Sequence, residues 1–287
     1  MRHSLDRTRT ALRDHGISEW QIEADVLLSH VIGVSRANFI SLVYGAEDSL
    51  TRPQATRLRD YLDRRLSGEP LAYIVGRREF YGLDIEVNES VLIPRQETEL
   101  LVEVALEYIA ARVRRLDRPT VVDVGTGSGA VALALAAHTQ NARIVGVDVS
   151  RDALDVAVRN RDRLSAEGVE FVQCDMLDAI AGPVDVIVSN PPYIPTGTLA
   201  SLAMEVRREP VVALDGGNDG LDHFRRLAIQ AEETLAPGGV MAVELMPDQM
   251  NDAMSIVRRA MCNVEAVSTR LDLMGNRRAL VAQNPLP

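Results

Sequence analysis

The chain has 287 residues, 46% hydrophobic and 25% charged, with a formal net charge of −10. These values fit a globular chain with room for two domains and exclude a disordered or collagen-like one. No run approaches the ~18 apolar residues of a membrane span, and the polar start Met1-Arg2-His3-Ser4-Leu5-Asp6-Arg7 has no apolar signal core, while two isolated cysteines, Cys174 and Cys262, suit a reducing cytoplasm.

The first 75 residues read as a small helical unit. Ser18-Glu19-Trp20-Gln21 and Thr51-Arg52-Pro53-Gln54 both fit the capping-box pattern that opens a helix. Ile22, Val26, Leu27 and Val31 follow the first at helical spacing; Leu58, Leu62, Arg65 and Leu66 follow the second. Ser67-Gly68-Glu69-Pro70 ends that helix. The unit is either a packing module or a substrate-docking domain. Residues 76–95 follow as a connector, in which Phe80-Tyr81-Gly82-Leu83-Asp84-Ile85-Glu86-Val87 predicts a short hairpin. Glu97–Leu116 predicts an amphipathic helix with acidic residues in its first turn.

From residue 96 onward one domain is expected, and from Thr120 strands and helices alternate. Val121–Val124, Arg143–Val149, Val169–Cys174, Val184–Ser189 and Gly239–Leu245 read as strands. Gly129–Ala137, a segment after Ser150, Leu221–Leu235 and Gln249–Ala260 read as helices, and Val264–Thr269 with Arg277–Gln283 as a final antiparallel pair. This alternation predicts an α/β, doubly wound, mostly parallel sheet, whose ligands bind outside the carboxyl ends of the strands.

The motifs fall at those ends. Asp123-Val124-Gly125-Thr126-Gly127-Ser128-Gly129-Ala130 lies between the first strand of this region and its helix, where glycines allow a tight turn and close approach to a ligand. Gly125, Gly127 and Ala130 also satisfy a loose dinucleotide pattern, with Asp148 ending the next strand. A carboxylate there accepts from ribose hydroxyls of NAD or of S-adenosylmethionine alike. Cys174-Asp175-Met176 ends the third strand, where an acidic residue suits an adenine amine. Asn190-Pro191-Pro192-Tyr193 follows the fourth. The two prolines forbid further strand or helix and supply no N–H, while Asn190 and Tyr193 add an amide and a flat ring. Together they form a slot for a planar NH2-bearing group, which methyl transfer needs and hydride transfer does not. The five His residues form no ligand cluster, so no metal site is expected.

Several blocks occur together in order: Glu69-Pro70-Leu71-Ala72-Tyr73-Ile74, Glu79-Phe80-Tyr81-Gly82-Leu83, Ile93-Pro94-Arg95-Gln96-Glu97-Thr98-Glu99, the glycine loop, Asn190–Tyr193, and Glu209-Pro210 with Ala213-Leu214-Asp215-Gly216-Gly217. Across nearly the whole chain they resemble the bacterial peptide chain release factor N5-glutamine methyltransferases. Asn-Pro-Pro-Tyr alone is shared with adenine-N6 methyltransferases of DNA and RNA. The resemblance implies a seven-stranded class I S-adenosylmethionine-dependent methyltransferase sheet at 96–287, behind an N-terminal helical docking domain at 1–75. It implies that Gly125, Thr126, Gly127, Ser128, Gly129, Asp148, Asp175, Met176 and Asn190 contact S-adenosylmethionine. It further implies that Asn190, Pro191, Pro192 and Tyr193 hold the glutamine of a release factor's Gly-Gly-Gln loop. The chain departs from the family at Gln96, where Pro is usual, and at Glu244-Leu245-Met246, where a Gly commonly follows the Glu by two positions.

On this reading the Asn190 side-chain oxygen and the Pro191 carbonyl accept the two N–H bonds of the substrate amide, and Tyr193 packs on its face. Glu244, alone in an apolar strand, is either a paired buried carboxylate or a wall of the site; Arg95 is either a substrate-side group or an ion-pair partner. The alternatives are a nucleic-acid adenine-N6 methyltransferase, a nicotinamide-dependent oxidoreductase, and a non-catalytic binding protein that kept the fold, against which the intact glycine loop, Asp148 and Asn190–Tyr193 argue. Charge weighs against the first: residues 1–80 hold 12 Arg against 11 acidic residues, but the remaining 207 hold 19 against 30. Such an acidic body is a poor surface for a polyanion.

Overall fold

In a computed structural model, residues 1–35, 38–39, 42, 49–112, 118–262 and 264–286 are described. The chain divides into two units, Met1–Gly76 with Ala203–Arg208, and Arg77–Leu202 with Glu209–Pro287.

In the first unit, α1 (Arg2–Asp14), α2 (Trp20–Ile32), α3 (Arg52–Leu66) and α4 (Leu71–Val75) bury Leu5, Leu12, Leu27, Leu28, Val31, Phe39, Leu58 and Ile74 in one cluster. The Thr51 capping box forms in full, Gln54 N–H donating to the Thr51 hydroxyl and Thr51 N–H to the Gln54 side chain. The box expected at Ser18 does not form. Ser18 and Glu19 lie in a turn, α2 starts at Trp20, and its N-cap is Glu19 without a side-chain bond. Ile22, placed on the apolar face by spacing, is 41% exposed. Arg65 interrupts the apolar stripe of α3 because it is a buried ion, taking Glu23 at 2.6 and 3.0 Å and Glu205 at 2.6 Å. Arg65 and Glu23 are buried together, and Glu205 reaches the same guanidinium from an exposed position, so the buried cation is paired where a lone guanidinium could not be kept.

In the second unit, β1 (Arg77–Phe80) and β2 (Leu83–Glu86) form the expected hairpin around Tyr81 and Gly82, both at positive φ. Two such residues suit the right-handed twist of a two-residue hairpin. A 3₁₀ turn at Gln96–Thr98 leads into α5 (Glu99–Arg112); residues 113–116 of the expected helix lie outside the described residues. The seven-stranded sheet runs β5-β4-β3-β6-β7-β9-β8. Its members are β3 (Thr120–Val124), β4 (Arg143–Asp148), β5 (Val169–Gln173), β6 (Val184–Ser189), β7 (Leu235–Glu244), β8 (Ala266–Leu271) and β9 (Arg277–Gln283). The first five are parallel; β9 is antiparallel to both β7 and β8. Between them lie α6 (Ala130–His138), α7 (Arg151–Arg163), α8 (Asp222–Thr234) and α9 (Met250–Ala260). Val122, Val124, Val145 and Val147 alternate with residues of the opposite face and bury against α8 and α9. This is the doubly wound, mostly parallel sheet read from the alternation of strands and helices.

Against the expected 1–75, 76–95 and 96–287 division, the main segment of the first unit ends at Gly76, and the expected connector groups with the second unit from Arg77 on. The hairpin belongs to the second unit, because Asn160 on α7, fully buried, donates to the carbonyls of Glu86 and Ser128 and accepts from Glu86 N–H. Residues 203–208 belong to the first unit, where Arg65 holds Glu205 and Arg208 donates to the Ser67 carbonyl.

Candidate active site

Strand order reverses between β3 and β6, and a cleft opens at the carboxyl ends of these strands. Ser189 at the end of β6 donates its hydroxyl to the Val124 carbonyl at the end of β3, 2.8 Å away, fixing the two strand ends on either side. The cleft is open to solvent and holds about 130 Å³ of space within reach of its walls.

One end is built from backbone. Gly125 and Gly127 have φ of 71° and 55°, and an added Cβ on either would meet no atom within 4 Å. The chain therefore turns in the left-handed region and leaves open space beside the loop. Gly125 and Thr126 donate their N–H groups to the Val147 carbonyl, both at 2.9 Å. Asp148 accepts Gly127 N–H on Oδ2 and Ser150 N–H on Oδ1, each at 2.9 Å, leaving lone pairs toward the cleft. Burial pushes the Asp148 carboxyl up, against the pull of the Ser150 and Gly127 N–H groups. Beneath the loop, Asp123 accepts from the Thr126 hydroxyl at 2.6 Å and Ala132 N–H at 3.2 Å. Complete burial pushes its carboxyl up to about 6 despite these bonds.

The other end is built from side chains drawn from distant segments. Asn190 is half-buried, and its Nδ2 donates to Thr98 Oγ1 at 3.0 Å. Thr98 donates to Glu244 Oε2 at 2.6 Å, and the Tyr193 hydroxyl donates to Glu244 Oε1 at 3.2 Å. Glu244 is 1% exposed, and burial pushes its carboxyl up from the ordinary range. Gln249 donates through Nε2 to the carbonyls of Tyr193 and Asp219, at 2.9 and 3.2 Å. Ile194 N–H donates to the Leu214 carbonyl and Gly216 N–H to that of Ile194, so the Ala213–Gly217 block braces the turn from behind. Arg95 pairs with buried Glu209, which also accepts Ile93 N–H at 2.9 Å. Arg95 is thus an ion-pair partner and Glu244 a paired buried carboxylate, the two readings left open by sequence.

Gly125, Gly127, Asp148, Asp175, Met176, Asn190, Pro191 and Pro192 line the cleft together. Thr126 and Ser128 line an adjoining recess with Gly125, Gly127 and Asn190. Gly129 lies away from the cleft: an added Cβ would meet Phe171 at 3.0 Å and Ala157 at 3.2 Å, so its role is close packing of the α6 N-terminus. Tyr193, expected to pack on the substrate amide, has its side chain against the hydrophobic core and its hydroxyl held by Glu244. Burial with the Glu244 charge raises that hydroxyl above its ordinary range. The Asp175 carboxylate lies at the cleft but pairs with Arg226 at 2.7 Å. Cys174 follows β5 and reaches the cleft, donating its thiol to the Met176 carbonyl at 3.0 Å.

Sequence reasoning did not single out Thr98, Gln249, Leu92 or His223, which the fold brings to the site. Thr98 carried one signal, its place in the Ile93–Glu99 block; the others carried none. Among the described residues no group of three or more His, Cys, Asp or Glu is arranged to hold a metal, and no helix is long and apolar enough to cross a membrane.

Residues 3–76 match the family described as the PrmC N-terminal domain, and residues 117–275 match a methyltransferase domain. A release factor glutamine methyltransferase of Bradyrhizobium diazoefficiens is 40% identical over 287 residues, covering 99% of this chain and 95% of its own. That of Deinococcus radiodurans is 37% identical over 283 residues, covering 99% and 98%. Among solved structures, a methyltransferase from Pyrococcus furiosus shares the fold, with a TM-score of 0.52 at 20% identity over 79% of this chain and 99% of its own. With relatives this similar over nearly its whole length, the chain belongs to the release factor glutamine methyltransferase family and is a methyltransferase.

Proposed function

We propose that the protein transfers a methyl group from S-adenosyl-L-methionine to the N5 amide nitrogen of the glutamine in the Gly-Gly-Gln loop of class I peptide chain release factors, in the cytoplasm, and so modulates translation termination. The observation that carries this reading is that the glycine loop with Asp148 and the turn at Asn190–Pro192 line one cleft. Near-full-length likeness to release factor glutamine methyltransferases selects the acceptor.

The residues present fit the methyl donor. Open space beside Gly125 and Gly127 admits a ligand against the backbone, and Asp148 keeps acceptor capacity for ribose hydroxyls. Asp175 and Met176 line the same cleft, where an adenine would meet one carboxylate and one thioether. When bound, S-adenosylmethionine supplies a methyl group already activated on a sulfonium. The residues of the turn are then left with alignment of a poor nucleophile, since the amide lone pair is delocalised into its carbonyl.

Asn190 Oδ1 and the Pro191 carbonyl accept the two N–H bonds of the glutamine amide. They hold the nitrogen in one plane and favour the positive charge developing on it. Pro191 and Pro192 have no N–H to compete for those acceptors and give the turn one rigid path. Leu92, Pro210, Val212 and Ala213 line the cleft with apolar surface beside the acceptor. Tyr193, held on Glu244 and in the core, acts by fixing the end of the turn. The nitrogen gains a methyl group and loses one proton to solvent, and no strong base is required.

Radiolabelled S-adenosylmethionine offered with release factor, with a release factor whose loop glutamine is alanine, and with DNA tests this function. Label on the first alone is expected; label on DNA alone would establish the adenine reading instead. The net negative charge of residues 81–287 disfavours a nucleic-acid acceptor.

A further inference from the structure

Glu244 Oε2 and Asn190 Nδ2 approach the same oxygen, Thr98 Oγ1, at 2.6 and 3.0 Å. The Thr98 hydroxyl carries one proton, and an ionised carboxylate can only accept. With Glu244 ionised, that proton is committed to Oε2, and Thr98 can meet Asn190 only as an acceptor. Asn190 must then present its NH2 to Thr98, which leaves its carbonyl oxygen for the cleft. The opposite orientation would set an Asn190 NH2 against the NH2 of the acceptor amide, with no acceptor for either.

We infer that Glu244 and Thr98 are positioning residues for methyl transfer: through the Thr98 hydroxyl, the buried carboxylate dictates which end of the Asn190 amide faces the acceptor glutamine. This rests on the reading that Asn190 Oδ1 receives an N–H of the substrate. The second oxygen of the same carboxylate takes the Tyr193 hydroxyl at 3.2 Å. One buried group therefore holds the first and fourth residues of the turn. This also accounts for a lone acidic residue at the end of the otherwise apolar strand β7.

The surroundings make the arrangement sensitive to protonation. Around Glu244 stand Thr98 and Glu97 from the turn before α5, Tyr193 from the turn after β6, and Arg278 from β9, itself 3.7 Å from Asp272. Burial and the Glu97 charge raise the carboxyl pKa; Thr98, Arg278 and Tyr193 act in the opposite direction, and the net shift is upward. A protonated Glu244 donates to Thr98, frees the Thr98 proton for Asn190 Oδ1, and permits the amide to reverse. Turnover is therefore lost as pH falls through the raised value and present above it.

The test uses the full chain with release factor as acceptor. Thr98→Ser keeps the hydroxyl and is expected to hold kcat within about threefold of the parent, while Thr98→Val lowers it about tenfold or more, as for a buried polar group left unpaired. The KM for release factor and the Kd for S-adenosylmethionine stay within about twofold in both. Glu244→Gln retains an acceptor for Thr98 but cannot titrate, so the acid limb of kcat disappears. The assignment is overturned if Thr98→Val keeps parental kcat, if Thr98→Ser falls as far as Thr98→Val, or if the loss lies wholly in cofactor affinity. Should thermal melting show Thr98→Val unfolded, the acid limb decides: its persistence in Glu244→Gln overturns the inference, and its loss supports it. Failure of the parent enzyme to label release factor overturns the function instead, leaving the two failures distinguishable.

Discussion

The two ends of the cleft are made differently. At the end proposed for the cofactor, Gly127 and Asp148 are 21 residues apart and sit at the ends of neighbouring strands, and the loop is fastened by main-chain groups. At the acceptor end, Asn190 depends on Thr98 across 92 residues, Thr98 on Glu244 across 146, and the Tyr193 carbonyl on Gln249 across 56. The first end follows from glycine conformation and strand pairing and is local. The second requires that the sheet, its antiparallel edge and the lead-in to α5 all be in place. Binding of the cofactor and positioning of the acceptor are therefore expected to respond to different substitutions.

The largest separation is expected from Asn190→Ala, which removes the acceptor proposed for the substrate amide and should cost kcat about 10²–10³-fold. Cofactor affinity, measured by calorimetry, should stay nearly unchanged; equal loss of both would erase the distinction between the two ends. The reciprocal change, Asp148→Ala, removes the carboxylate proposed to meet the ribose and frees Gly127 N–H. A rise of about 10–100-fold in cofactor Kd is expected, with kcat at saturation largely retained.

Asp123 tests whether the local end has a stability signature of its own. Its folded carboxyl titrates near 6, above the usual value of about 4. Because the folded value is raised, its contribution to stability is present below about pH 4 and is lost as pH rises through 6. Asp123→Asn cannot lose it. The parent should therefore lose of order 2–3 kcal/mol relative to this variant between pH 4 and 7.5, read from denaturant midpoints at each pH. A constant difference would show that the ionised carboxyl is held as well as the neutral one.

The smallest effect is assigned to Gln249→Ala, which releases the carbonyls of Tyr193 and Asp219. The lost bonds are worth about 1 kcal/mol, so kcat should fall about fivefold with cofactor Kd unaffected. A change confined to cofactor affinity would join the two ends rather than separate them.

The same contrast explains what was legible. The hairpin at Tyr81-Gly82, the Thr51 box and the alternation of strands and helices along the chain from Thr120 all follow from residue type and period over a few positions. The Ser18 box failed although its residues fit, because a short motif competes with where the helix packs, and α2 begins at Trp20. The connector was drawn apart from the catalytic unit because nothing local reveals that Asn160 on α7 grips Glu86. Residues 203–208 could not be assigned to the N-terminal unit for a similar reason: nothing in the helical spacing of Arg65 with Leu58, Leu62 and Leu66 reveals that it holds Glu205.

At the site, the amino-acid sequence by itself determined the glycine loop, Asp148 and the proline-locked turn, since glycine and proline act through their own backbone and need no distant partner. It also marked Glu244 as out of place in an apolar strand. Tertiary structure decided that Tyr193 turns into the core, that Gly129 serves packing, and that Thr98 stands between Asn190 and Glu244. The direction of a side-chain amide is set by the donors and acceptors around it, and here they arrive from three segments that only the folded sheet brings together.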